Sequence, residues 1–195
     1  MRSIFAFLTA LWLLVSCTAC APVTPKNSFA YADKAFSATI QGTYTPKADE
    51  GGVPRSFAAT VTAGAPVDGD PTRRDLTVTF TSPDTLAGVT VTATLTPAPE
   101  GTVQRNVTFA YPSEYGNIQV PAEGEAFDGL LRFAEALLPI GDVAETSPKA
   151  DDGSYTVTRK QNGRTAAFAF SDGVVLPVRV TVTTPREILQ ITVTP

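Results

Sequence analysis

Strict alternation of apolar residues with threonine is the feature that most limits what this chain can fold into. Residues 76–81 read Leu-Thr-Val-Thr-Phe-Thr, which sets Leu76, Val78 and Phe80 on one side of an extended chain and three threonines on the other. Residues 89–96, 178–183 and 189–194 repeat the rule. Threonine's branched β-carbon suits a solvated sheet face, so each run predicts a half-buried strand. Less regular runs at 35–45, 55–62, 103–110, 154–159 and 165–170 bring the expected total to roughly nine or ten strands. Asn162-Gly163 and Asp172-Gly173 stand between the last runs. Both dipeptides tolerate positive φ at both turn positions, which predicts tight hairpins and an antiparallel meander in the C-terminal third. Pro177 falls at the start of its run, where a missing N–H disturbs a ladder least.

One segment keeps a different period. Phe127, Leu130, Leu131, Ala134, Leu137 and Leu138 recur at three- and four-residue steps, Phe133 widens the apolar stripe, and Asp128, Arg132 and Glu135 take the opposite side. This predicts an amphipathic helix over 127–138, with Asp128 in its first turn and Pro139 and Gly141 ending it. A shorter turn of helix is expected within 29–36. A sheet with one apolar face must cover it with a second sheet, by closing on itself, or with helices. The expected class is mainly β (α+β): an unclosed antiparallel β-barrel wrapped around one central amphipathic helix. The alternative is a β-sandwich with a helical insertion.

The N-terminus reads as an export signal. Arg2 precedes an apolar stretch at 4–15, the make-up of a signal-peptide core. It is too short to span a bilayer as a helix, which needs about 20 residues. At its end, Leu14-Val15-Ser16-Cys17 resembles the lipobox of bacterial lipoproteins. That resemblance implies removal of a signal peptide at 1–16, diacylglyceryl transfer to the Cys17 thiol, and acylation of the new amino group in some bacteria, which labelled palmitate would report. Two or more acyl chains anchor stably where one does not. The competing reading is cleavage at Ala19-Cys20-Ala21, which would release a soluble, cysteine-free protein. Residues 17–28 then form the lipidated cysteine and a Pro-bearing tether. The rest, 29–195, is large enough to hold a core by packing alone, and neither Cys17 nor Cys20 has a partner cysteine in it.

A long run of strands, one apolar helix, then a hairpin-rich run resembles the LolA/LolB-like superfamily. The resemblance rests on Asp-Leu-Thr-Val-Thr-Phe-Thr-Ser-Pro at 75–83, the helix at 127–138, and Leu-Pro-Val-Arg-Val-Thr-Val at 176–182. It implies a single LolA-like domain at 29–195 that binds a lipid or other hydrophobic ligand between sheet and helix without catalysis. Phe80, Phe109, Leu130, Phe133 and Leu137 would line that space. Together with the lipobox it implies an exported protein, lipid-anchored to a bacterial membrane on its extracytoplasmic side through Cys17, a receiver or holder rather than a shuttle. The alternative is a structural or protein-interaction module of the cell envelope with a dry core and an envelope protein as partner.

Composition narrows the chemistry. The chain of 195 residues has no histidine, which removes the Ser-His and Cys-His nucleophile pairs and the usual base at neutral pH. A net charge of -4 argues against a nucleic-acid partner, and Arg73-Arg74 is too short for a basic patch. Asp68-Gly69-Asp70 and Asp151-Asp152-Gly153 lack the full alternating ligand set of a calcium loop and read as solvated turns. No Gly-rich phosphate loop opens a helix. A non-enzyme without metal or cofactor is expected.

Overall fold

A computed structural model of the chain describes residues 28–47, 52–97, 103–113, 116–121 and 125–195. The expected signal peptide, Cys17, Cys20 and the tether up to residue 27 lie outside the described residues. Ser28, expected as the tether's last residue, is buried instead. A 3₁₀ turn at Ala30–Asp33 opens the domain. It is followed by β1 (Phe36–Pro46), β2 (Arg55–Ala63), β3 (Arg74–Ser82), β4 (Thr90–Pro97), β5 (Val103–Ser113), β6 (Gly116–Pro121) and helix α1 (Glu125–Glu135). The remainder is β7 (Asp142–Thr146), β8 (Tyr155–Gln161), β9 (Arg164–Phe170), β10 (Arg179–Thr183) and β11 (Glu187–Thr194).

These strands form one antiparallel sheet of 11 strands in the order β6-β5-β4-β3-β2-β1-β11-β10-β9-β8-β7. Strands that lie side by side are also consecutive in the chain except at one place. There, β1 and β11 zip two meanders together, in a register running from Thr39 opposite Thr194 to Pro46 opposite Glu187. Strands β6 and β7 are left at the two edges, so the sheet is open. They are also consecutive in the chain, so their connection must bridge the two edges of the sheet. Helix α1 lies in that connection and packs over β2 to β5. A single sheet removes the sandwich alternative. The strand count exceeds the nine or ten expected, because β6 offers only the short alternation of Ile118 and Val120 and β7 (Asp-Val-Ala-Glu-Thr) offers none.

The alternation does divide the sheet into two faces. Leu76, Val78 and Phe80 of β3, Val91, Ala93 and Leu95 of β4, and Leu189 and Ile191 of β11 are almost wholly buried. Outward threonines pair across strands, as Thr79 with Thr90 at 3.1 Å, and Thr94 donates to Asp75 at 2.7 Å. Laid flat, eleven strands would be about 48 Å wide, against a helix of about 10 Å diameter. One helix cannot cover such a face. Yet Val157, Ala166, Phe168 and Val180, on the half away from α1, are as buried as their counterparts under it, and all belong to one core. The sheet therefore curls around its contents. The 28–33 segment supplies the second filling: the Phe29 ring meets Phe168 and Phe170 edge-on at 5.0 and 5.6 Å.

Two sequence expectations need correction. Arg132 does not face solvent with Glu135; it turns toward the sheet and pairs with Glu187 of β11. Arg74, next to the exposed Arg73, is itself only 2% exposed, at the inward end of the β3 alternation. Asn162-Gly163 forms the tight hairpin, with φ of 47° and 77°, but Asp172-Gly173 does not. Only Gly173 has positive φ there, and a longer loop separates β9 from β10.

Candidate functional site

The first expectation for a site was a void between sheet and helix, and a cavity of about 400 Å³ lies there. Its floor comes from consecutive inward positions of the sheet: Tyr44 near the end of β1, Phe57 near the start of β2, and Phe80 near the end of β3. Its roof is Gly129, Leu130, Arg132 and Phe133 of α1. Pro83, Thr85 and Leu86, from the loop joining β3 to β4, form one wall, and Arg55 and Ser56 stand at the start of β2. Phe133 is wedged between strands, 4.3 Å from the Phe57 ring centre and 5.5 Å from that of Phe80. The lining is thus mainly aromatic and aliphatic, the make-up of pockets that take up small apolar ligands.

Arg132 fixes one side of the mouth. Its Nη1 pairs with Glu187, its Nε donates to the Gly129 carbonyl one turn back, and its guanidinium lies 5.1 Å over the Tyr44 ring. The absence of a side chain on Gly129 leaves room for this folded-back arrangement. Arg55, in contrast, is exposed and makes no ion pair among the described residues.

Of the five residues expected to line a ligand space, Phe80, Leu130 and Phe133 line this cavity. Leu137 is fully buried beyond it, and its carbonyl accepts a hydrogen bond from the Tyr31 hydroxyl at 2.5 Å. Phe109 packs against the core from β5 without reaching the cavity. The sequence reading did not single out Tyr44, Arg55, Phe57, Leu86 or Arg132. Tyr44 and Phe57 were recoverable, since each continues the inward alternation of its strand.

The second polar cluster of the interior serves the fold. Arg74 donates to the Ala32 carbonyl, Arg159 to the Gly141 carbonyl, and the Arg159 guanidinium lies 5.2 Å over the Phe29 ring. Burial lowers the pKa of both guanidinia, and burial pushes that of Tyr31 far above its ordinary value although Arg74 and Arg159 pull it down. A larger hollow of about 650 Å³ lies between the loop after β7 and β9–β10, but Asp152, Ser154, Thr156, Arg179 and Thr192 make much of its wall polar. The carboxylates of the Asp68-Gly69-Asp70 turn are engaged locally: Asp68 pairs with Arg73 at 2.8 Å, and Asp70 accepts from the Thr72 amide and hydroxyl at 2.8 and 2.7 Å.

No protein-family model matches the chain, and no curated protein matches its sequence. Among solved structures, the chain is similar to a DUF1329 family protein from Desulfovibrio piger, at 10% identity and a TM-score of 0.43, over 87% of this chain and 90% of that one. A LolA superfamily protein from Nitrosomonas europaea aligns at 11% identity and 0.41, covering 89% and 93%. A domain described as an outer membrane lipoprotein-sorting protein, from Vibrio parahaemolyticus, aligns at 9% identity and 0.39, covering 83% and 84%. Likeness at this level does not assign the chain to a family.

Proposed function

We propose that this chain is a non-catalytic lipid-binding lipoprotein of the bacterial envelope, anchored through Cys17 and taking up a hydrophobic ligand between sheet and helix. The observation that carries the reading is the cavity of about 400 Å³ walled by Phe57, Phe80, Leu130 and Phe133. A cleft of this size with an aromatic and aliphatic lining gives hydrocarbon both dispersion contacts and burial of apolar surface.

The path of the chain supports a receiver or holder. Ser28 and Phe29 enter the sheet at the end where β1 and β3 begin and β9 ends, since Phe29 meets Phe170 and the same segment is held by Arg74. The cavity lies at the other end, beside Tyr44, Arg55 and Pro83. From Phe36 to Tyr44 the extended chain rises about 26 Å. A tether leaving near Ser28 would therefore leave the pocket mouth unobstructed by its own attachment. The alternative of a dry interaction module finds less support. The exposed edge at β7 carries Asp142, Glu145 and a register shift, devices that discourage strand addition.

Native mass spectrometry of the purified full chain tests the binding. We expect retained lipid, or a mass shift on adding single-chain lipids; neither, at up to millimolar lipid, would remove the reading. Replacing Cys17 by alanine should abolish incorporation of labelled palmitate in cells, and persistent label would refute anchoring at that residue.

A further inference from the structure

We propose that the pocket selects a single-chain anionic amphiphile, with its tail among Phe57, Phe80, Leu130 and Phe133 and its carboxylate or phosphate head against the Arg55 guanidinium. The inference rests on the reading of this cavity as a ligand site and adds the chemical class of the ligand.

Charge is the first argument. The chain carries a net charge of -4, yet among the described residues the cavity lining includes two arginines and no carboxylate. Arg132 is already matched by Glu187. Arg55 stands exposed at the start of β2 with no acidic partner among the described residues, while Phe57, two residues further on, is 5% exposed. Within two residues the wall passes from an unmatched cation in water to a buried ring. That polarity profile fits an amphiphile with a negative head, and a guanidinium binds carboxylate or phosphate through paired N–H donors.

Volume is the second argument. A cavity of about 400 Å³ lies toward the small end of the about 300–1,000 Å³ usual for ligand pockets, the size class of a one-tailed rather than a two-tailed lipid. One tail fits.

The test uses the full chain, stripped of copurified lipid, with cis-parinaric acid as the fluorescent probe. Competitors are laurate, lysophosphatidate, dodecanol, dodecyltrimethylammonium and a diacyl phosphatidate. Laurate or lysophosphatidate, or both, should displace the probe at least fivefold better than dodecanol and the cationic detergent, and diacyl phosphatidate should compete poorly. Preference for laurate assigns a carboxylate head and preference for lysophosphatidate a phosphate; either supports the proposal. Arg55→Gln should weaken the anionic competitor at least about fivefold and leave dodecanol unchanged, and Arg55→Lys should restore part of the loss. Equal displacement by laurate and dodecanol, unaffected by Arg55→Gln, would overturn the head subsite while leaving the apolar pocket intact. Equal competition by diacyl phosphatidate would overturn the single-tail limit. No binding of the probe or of any chain would instead strike the pocket reading itself.

Discussion

Buried polar groups in this interior act as ties on the main chain. Tyr31 is 4% exposed and spends its hydroxyl on the Leu137 carbonyl, fastening the 28–33 segment to the turn after α1. Its raised pKa has a consequence for stability. The folded protein keeps Tyr31 neutral, whereas the unfolded chain ionises it above about pH 10. The tie is therefore fully effective below that pH and loses strength as pH rises beyond it. Tyr31→Phe should lower stability by about 1 kcal/mol at pH 7 in urea unfolding, and the gap between wild type and variant should close and then reverse between pH 10 and 11.5, since each pH unit there removes about 1.4 kcal/mol from the wild type alone. A constant gap across that range would mean that Tyr31 titrates alike folded and unfolded. Gly42 is constrained in a different way. A β-carbon there would collide with the Gln190 main-chain carbonyl across the β1–β11 pair. Gly42→Ala should cost more than about 2 kcal/mol, beyond what most single substitutions cost; a near-neutral result would show that the two strands can separate to admit a methyl group.

Helix α1 has two apolar neighbours with unequal duties. Leu131 is fully buried against the sheet, whereas Leu130 is half-buried and faces the cavity. Leu131→Ala should cost about 2 to 5 kcal/mol, because it opens a new void in packed surroundings. Leu130→Ala removes atoms that already border empty space and should cost under about 1.5 kcal/mol while weakening binding of an apolar ligand. Equal losses of stability, measured by urea unfolding, would contradict this division. The helix was legible from its three- and four-residue period, and the strands from threonine alternation, because both patterns record a boundary between core and water. What escaped were features that depend on who lies opposite. The helical period placed Arg132 with Asp128 and Glu135, but it could not register Glu187 approaching from β11. Residues 142–146 show no inward side because β7 is an edge strand, largely exposed. Phe109 and Leu137 have the right character for a ligand wall and the wrong positions. Arg55 became a candidate only when folding brought the start of β2 beside the helix.

The order of strands inverts the usual relation between chain position and exposure. Termini of a domain commonly fray, yet here the first and last strands are central: β1 lies between β2 and β11, and β11 between β1 and β10. The strands adjoining α1 in sequence are the edges, each paired on one side only. This follows from building the sheet as two meanders joined at their outer ends in the chain, with the helix crossing between their far edges. One core spans both meanders, so neither half can keep its buried face if the β1–β11 seam opens. The amides of β1 and β11 should then be among the slowest to exchange, approaching the global unfolding free energy, while those of β7 exchange first by local opening. Hydrogen exchange followed by mass spectrometry on peptides covering 38–45, 188–194 and 142–146 makes the comparison directly. If the 188–194 amides exchange as early as those of 142–146, the seam opens below global unfolding and the halves are separate cooperative units. A bound amphiphile adds a further distinction, because its contacts lie in β2, β3 and α1. It should slow exchange there by local protection, and slow β11 only through the stability that binding adds to the whole molecule.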